Sequence, residues 1–153
     1  MSTKQLSEKF GSSGLKGGLA EEWLYDKLQS IYDTVDDLRE DMDYQRRGID
    51  FGIQKAGWRN MYYLDCKGNL RNGRLFLELQ KNGRPGWFWK SQADRIYHVD
   101  QTSGKAVWYG LPELRAALET SSFPMTSYEN SVLMSMSVDD HPSPQVREVL
   151  NWM

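Results

Sequence analysis

The chain contains few of the residues that build disulfide frameworks or zinc sites. Its 153 residues include one cysteine, Cys66, and two histidines, His98 and His141. A single cysteine excludes an intrachain disulfide framework and fits a reducing cytoplasm. The two histidines are too isolated to form a zinc site with cysteine or histidine partners. The sequence also lacks a glycine-rich phosphate loop and a Gly-x-Ser-x-Gly elbow, two motifs of nucleotide-binding proteins and hydrolases.

Long hydrophobic runs are absent as well. No apolar stretch approaches the length of a membrane-spanning helix, and the first residues lack the apolar segment of a signal peptide. We therefore expect a cytoplasmic protein without a membrane partner. A hydrophobic content of 39% predicts a single core. Residues 1–17 predict a flexible lead-in. We predict that residues 18–122 form the core of the domain. Residues 123–153 are expected to form a C-terminal strand and helix that pack on this core.

The formal net charge is only −2, but the charges are unevenly distributed. Residues 18–43 carry nine acids and two bases, whereas residues 45–95 carry eleven bases and four acids. Because local charge governs binding to phosphates, the basic half predicts a phosphate-binding face. The alternative is a solvated strand surface. The candidate DNA-binding residues are Arg46, Arg47, Lys55, Arg59, Arg71 and Arg74.

Two short segments predict a pair of strands that carries two acids and a lysine. Residues 49–53 alternate apolar and small or polar side chains, and residues 61–67 are rich in aromatic residues. The segment between them is about as long as a hairpin loop and contains glycine, so antiparallel pairing would bring Asp50 and Asp65 side by side. Lys67, two residues after Asp65, lies on the same strand face.

Adjacent carboxylates indicate a site for a hard cation. Like charges raise each other's cost of ionisation unless a cation neutralises them. Oxygen ligands of this kind favour Mg²⁺ or Mn²⁺ over zinc. Such an ion can polarise a phosphoryl oxygen and activate a water, and Lys67 is suited to stabilise the charge that develops. The alternative is that Asp50, Asp65 and Lys67 form only a structural ion pair between the two strands.

Asp50 followed by the triplet Asp65-Cys66-Lys67 resembles the PD-(D/E)XK nuclease superfamily, and in particular small phage-type or homing endonucleases, over residues 18–118. The chain departs from that pattern in having no proline before Asp50 and aspartate as the second acid. The resemblance implies a restriction-endonuclease-like αβββαβ core and a metal-dependent DNA endonuclease of phage or mobile-element type, located in the host cytoplasm if phage-encoded. It further implies metal binding by Asp50, Asp65 and the main-chain carbonyl of Cys66, with Lys67 positioning the hydrolytic water.

These families usually supply a further acid from the first helix. Residues 19–31 predict that helix, and Glu21 shares the inward face with Leu24 and Leu28, whereas Glu22 is rotated by about 100°. Glu21 is therefore the fourth candidate catalytic residue, and Glu22 a secondary one. The competing explanation is that both acids complement the helix dipole.

Other candidates and functions stay open. Gln45 matches a glutamine that often precedes the first acid in the families this chain resembles. Glu78-Leu79-Gln80 is an acid-x-glutamine triplet, so Asp50 and Glu78 are an alternative metal pair. The alternative function is a non-catalytic nucleic-acid-binding module that retains the nuclease fold. A homodimer, or a higher homo-oligomer, is the simplest way for a small site to cut two strands.

The remaining pattern of apolar and turn residues predicts an α/β fold with a central mixed β-sheet flanked by helices. We predict strands at 34–44, 75–80, 95–99, 106–109 and 131–138, a short helix or turn at 87–93, and helices that begin at Pro112 and Pro144.

Overall fold

The computed structural model describes residues 18–100, 102–120, 123–142 and 150–151. The predicted lead-in, residues 1–17, lies outside these ranges. The described chain is mixed α/β, as predicted. Its elements are α1 (18–31), β1 (Thr34–Asp37), α2 (Met42–Arg46), β2 (Phe51–Gln54), β3 (Tyr62–Lys67), β4 (Arg74–Lys81), β5 (Arg84–Pro85), α3 (Trp87–Lys90), β6 (Arg95–Asp100), β7 (Lys105–Gly110), α4 (Leu111–Ala117), β8 (Met125–Tyr128), β9 (Ser131–Ser137) and β10 (Leu150–Asn151).

The first sheet has six strands in the order β1-β2-β3-β6-β7-β10. Neighbouring strands are antiparallel except β3 and β6, which are parallel. The predicted hairpin of β2 and β3 is confirmed, with Phe51 opposite Leu64. A parallel pair needs a long crossover connection. Here the crossover contains β4, β5 and α3.

The second sheet has four strands in the order β5-β4-β9-β8. The predicted strand at 75–80 is β4, but it belongs to this sheet and not to the sheet that contains β2 and β3. β4 pairs instead with β9, which confirms most of the strand predicted at 131–138. β8 was not predicted, and it forms a hairpin with β9.

Helix α1 covers one face of the first sheet. Leu24 and Leu28 lie four residues apart, on one face of the helix, and both are fully buried. Ile31 in the last turn is 36% exposed. The core on this side of the sheet consists of Ala20, Leu24, Leu28, Phe51, Ile53, Leu64, Cys66, Tyr97, Val99 and Ala106.

The second sheet, α3 and α4 cover the opposite face. Side chains alternate along β6 and β7, so Ile96 and Val107 point to this side whereas Tyr97 and Ala106 point to α1. The first sheet is thus enclosed on both faces. The second core consists of Ile49, Leu70, Leu75, Leu77, Phe88, Ala93, Ile96, Val107, Tyr109, Leu111, Leu114, Met136 and Val138.

Two predicted elements differ from the structure. The strand predicted at 34–44 ends at Asp37, because Asp41 caps α2 by accepting hydrogen bonds from the backbone N–H groups of Asp43 and Tyr44. Of the helix predicted to begin at Pro144, residues 144–149 and 152 lie outside the described ranges. Its residues 150–151 form β10 instead, since they pair with the outer edge of β7.

The other predicted elements agree with the structure. The strands at 95–99 and 106–109 correspond to β6 and β7, the short helix at 87–93 to α3, and the helix at Pro112 to α4. None of the helices in the described ranges combines the length and the apolar composition needed to cross a membrane.

The packing of α1 predicts different effects for two leucines of the same helix. Leu24 is fully buried, whereas Leu19 is 40% exposed. We expect Leu24→Ala to lower the free energy of unfolding by about 2–5 kcal/mol because it leaves a cavity, and Leu19→Ala to lower it by less than about 1 kcal/mol. Urea denaturation followed by circular dichroism measures both. Equal losses would contradict the packing of this helix.

Candidate active site

The pairing of β2 and β3 brings Asp50 and Asp65 together. Phe51 lies opposite Leu64, and the backbone N–H of Asp50, the residue directly before β2, donates to the Leu64 carbonyl at 2.8 Å, so Asp50 lies next to Asp65. Both side chains are buried, at 7% and 5% relative exposure. Oδ2 of Asp50 accepts a hydrogen bond of 2.9 Å from the backbone N–H of Cys66, which fixes this carboxylate against β3.

Lys67 lies beside this pair on the same face of β3. Its Nζ is 3.2 Å from Oδ2 of Asp65 and 4.8 Å from the centroid of the Trp87 ring. Trp87 is the first residue of α3, and its backbone N–H donates to Oε1 of Glu78 at 3.4 Å. The ammonium group of Lys67 is therefore held between a carboxylate and an indole face. Trp87 was not among the predicted site residues.

Glu21 faces the same site from α1. Burial, with a smaller contribution from Asp50, raises the pKa of Glu21 to about 7, whereas Arg39 and Lys67 act in the opposite direction. Glu22 points away and forms a 2.6 Å ion pair with Arg39. Glu21 therefore lines the cleft and Glu22 does not, which agrees with the different helix faces expected for the two acids.

The other ionisable groups of the site are also strongly affected by burial. Burial raises the pKa of Asp65 to about 8; Lys67 opposes this shift and Asp50 adds to it. Burial likewise raises the pKa of the Cys66 thiol well above its usual range, so this cysteine stays protonated and is unsuited as a nucleophile. The ion pair with Lys67 therefore does not offset the effect of burial on the pKa of Asp65.

These residues line a cleft of about 710 Å³. Asp50, Asp65 and Lys67 form its floor, and we call the more exposed residues around it the rim. The rim comes from α2, from the β4–β5 hairpin and from α3. The lining residues are Glu21, Gln45, Arg46, Gly48, Asp50, Asp65, Cys66, Lys67, Glu78, Lys81, Asn82, Arg84, Pro85, Trp87, Lys90 and Ser91.

Of the six predicted DNA-binding residues, only Arg46 lines the cleft. Arg47 packs against Tyr44 and donates to Gln92, and Lys55 lies over the Tyr32 ring. The remaining three lie on other surfaces: Arg59 lines a pocket with Trp58 and Tyr62, Arg71 lines another small pocket, and Arg74 donates to Ser135.

The rim contains three bases that the sequence did not single out: Lys81, Arg84 and Lys90. They belong to the basic half of the sequence, which was the only sequence signal for them. Choosing them requires knowing that the second sheet lies beside the acids. The charge run in the sequence is spread over several surfaces because the strands that carry it belong to two sheets.

Only some of the secondary candidate site residues lie in the cleft. Gln45 and Glu78 line the cleft, and Nε2 of Gln45 donates to the Ile49 carbonyl at 3.3 Å. Gln80 is exposed and does not line the cleft. A β-bulge at Leu79 places Glu78 and Gln80 opposite adjacent residues of β9, so they point to opposite sides of β4. The triplet Glu78-Leu79-Gln80 therefore does not present its acid and its glutamine to one site.

In comparisons with protein-family models, curated proteins and solved structures, no match to this chain was found.

The acids of the cleft suit a hard cation. Within the described ranges, no group of three or more His, Cys, Asp or Glu residues is arranged to hold a metal ion. Mg²⁺ commonly uses only one or two protein carboxylates and keeps several waters. Asp50 and Asp65 supply such a pair, and a bound cation would offset the burial and the Asp50 charge that raise the pKa of Asp65. The residues present therefore fit Mg²⁺ or Mn²⁺.

The raised pKa of Asp65 predicts a stability change that depends on pH. Between its ordinary value of 3.8 and about 8, the unfolded chain ionises this carboxyl while the native protein keeps it protonated, so native stability falls as pH rises through this range. Asp65→Asn removes that effect. In chelator, we expect the variant to unfold at a higher free energy than the parent at pH 8, by on the order of 1–5 kcal/mol, and to differ little at pH 4. Urea denaturation at both pH values measures this, and an equal difference at both would contradict the raised pKa.

Proposed function

We propose that the protein is a Mg²⁺-dependent DNA endonuclease of the PD-(D/E)XK type that hydrolyses phosphodiester bonds. The observation that carries the proposal is the grouping of Asp50, Asp65 and Lys67 on the floor of one cleft with bases on its rim. A floor that suits a cation and a rim that suits phosphates match the two needs of such an enzyme.

The order of the elements supports the same proposal. Helix α1 is followed by β1, β2 and β3, which are neighbours in the first sheet, and α3 then precedes β6. With α2, β4 and β5 left aside, this order is the one that the αβββαβ core implied by the resemblance would require, which supports the proposal. The two acids stand on its second and third strands, or directly before them, and Glu21 stands on its first helix.

Asp50, Asp65 and the main-chain carbonyl of Cys66 would hold the ion. When bound, Mg²⁺ or Mn²⁺ polarises a phosphoryl oxygen and lowers the pKa of a water, which makes hydrolysis possible at neutral pH. The burial of both carboxylates and the hydrogen bond from Cys66 to Asp50 keep the donor oxygens fixed before an ion arrives.

Lys67 and Glu21 have distinct tasks in this mechanism. Nζ of Lys67, held between Asp65 and Trp87, orients the attacking water and stabilises the negative charge that develops on the phosphate. Glu21, whose pKa is raised to about 7, is suited to accept a proton at neutral pH. A structural ion pair alone would account for Lys67 and Asp65 but would leave the nearby burial of Asp50 and Glu21 unexplained.

The proposal predicts a specific response to divalent cations. We expect nicking or cleavage of supercoiled plasmid with Mg²⁺ or Mn²⁺, and DNA binding with little cutting with Ca²⁺, because the looser coordination of Ca²⁺ positions the water poorly. Agarose gels and fluorescence anisotropy provide the two readouts. Undiminished cleavage in excess chelator would refute a metal-dependent reaction.

Substitutions of floor residues test their assignment. We expect Asp65→Asn and Lys67→Ala each to lower the cleavage rate by at least about a hundredfold, the scale of a lost transition-state charge contact, with little change of DNA binding in Ca²⁺. Glu78→Gln should cost less, since Glu78 donates no oxygen to the proposed ion. If Asp65→Asn cuts normally and Glu78→Gln is inactive, the metal pair is Asp50 and Glu78 instead.

The first helix offers a matched pair of variants. We expect Glu21→Gln to lower the cleavage rate by at least about tenfold because it removes the proton acceptor, and Glu22→Gln to leave the rate unchanged because Glu22 binds Arg39 outside the cleft. Plasmid cleavage rates in Mg²⁺ measure both. Equal rates for the two variants would show that Glu21 has no part in the reaction.

A further inference from the structure

Two reverse turns of nearly identical sequence flank β4. Arg71-Asn72-Gly73-Arg74 leads into the strand, and Lys81-Asn82-Gly83-Arg84 leads out of it. In both turns the central asparagine and glycine have positive φ angles, 51° and 72° in the first and 53° and 75° in the second. Such turns hold their flanking residues opposite each other. Each turn therefore presents a pair of basic side chains in the same local geometry.

Only the second of these turns borders the cleft. Lys81 and Arg84 line it, whereas neither base of the first turn does. β4 is eight residues long, so the two turns lie roughly 23 Å apart along the strand. The protein thus contains two chemically matched basic pairs, of which one is next to the floor acids.

The cleft separates its charges by depth. Its floor acids, Asp50 and Asp65, are buried, whereas the rim bases Lys81, Arg84 and Lys90 are exposed. None of these three bases forms an ion pair with a carboxylate of the described residues. Unpaired bases around an acidic floor are arranged to hold phosphate groups above a cation.

The second turn is fixed in position by its surroundings. The backbone N–H of Gly86 donates to the Leu79 carbonyl at 2.9 Å, and the next residue, Trp87, donates to Glu78. A Cβ at position 86 would collide with the Glu78 carbonyl, so the returning chain lies directly against β4. Lys90 follows on the same short helix as Trp87. Lys81, Arg84 and Lys90 therefore project from one anchored unit, whereas the fourth base of the rim, Arg46, belongs to α2.

We propose that Lys81, Arg84 and Lys90 bind the phosphodiester backbone of the DNA strand whose scissile phosphate lies over the floor acids. The turn at 71–74, despite its matching sequence, takes no part. The nature of the polyanion rests on the proposed function, whereas the choice between the two turns rests on the geometry alone.

The test compares the two turns directly. One double variant carries Lys81→Gln and Arg84→Gln, and the control double variant carries Arg71→Gln and Arg74→Gln. Binding of a fluorescently labelled DNA duplex is measured by anisotropy in Ca²⁺ at several salt concentrations. We expect the first variant to bind at least about tenfold more weakly near 0.1 M salt and to lose about two units of the slope of log affinity against log salt. The control variant should bind like the parent.

Cleavage in Mg²⁺, measured in parallel, separates this inference from the proposed function. Binding that depends on Lys81 and Arg84 without any cleavage would support phosphate binding by these bases and overturn the nuclease proposal. If the cleavage rate falls equally in the two double variants, or falls in neither, the nuclease proposal is supported and phosphate binding by Lys81 and Arg84 is overturned. Thermal unfolding of both variants shows whether they remain folded, and the single variant Lys90→Gln, at the other edge of the rim, supplies an independent check with the same expected direction.

Discussion

Two carboxylates lie side by side where water is largely excluded, and much of the fold serves to keep them there. Burial disfavours the charged form of a carboxyl group and a neighbouring carboxylate adds to that cost, and both raise the pKa of Asp65. Within the described part of the chain, Lys67 pairs with Asp65, and the backbone N–H of Cys66 donates to Asp50. The apolar cores on both faces of the first sheet must therefore offset the unfavourable free energy of burying these two acids. Protein interiors tolerate such strain mainly at sites where it is used.

The cleft is a product of the two sheets together. The first sheet positions Asp50, Asp65 and Lys67, and the second positions Lys81 and Arg84 through the hairpin that joins β4 to β5. Trp87 connects the two groups, because its backbone N–H donates to Glu78 while its ring supports the ammonium group of Lys67. The floor acids and these two rim bases thus belong to different sheets, so the buried floor and the exposed rim lie next to each other without forming ion pairs between them.

The parts of the site that sequence reasoning predicted are those set by local geometry. Alternation within 49–53 and 61–67, with a short loop between them, was sufficient to place Asp50 beside Asp65. Helical periodicity distinguished Glu21 from Glu22. The rim was not predictable in this way, since it depends on pairing between β4 and β9, which are distant in sequence. Two turns of nearly identical sequence look equivalent before folding, and only the tertiary fold distinguishes them. For the same reason β4 was predicted as a strand but not assigned to its own sheet.

The pairing of β4 with β9 also affects the order in which parts of the protein fold during synthesis. The β2–β3 hairpin closes within residues 51–67, whereas β4 gains its long partner only when residues 131–137 have been made. Local hairpins form early, and contacts between distant segments form late. A nascent chain therefore assembles its acidic floor well before the second sheet can hold the hairpin rim in position. Residues in the last quarter of the sequence, far from the acids, decide when the two halves of the cleft first come together.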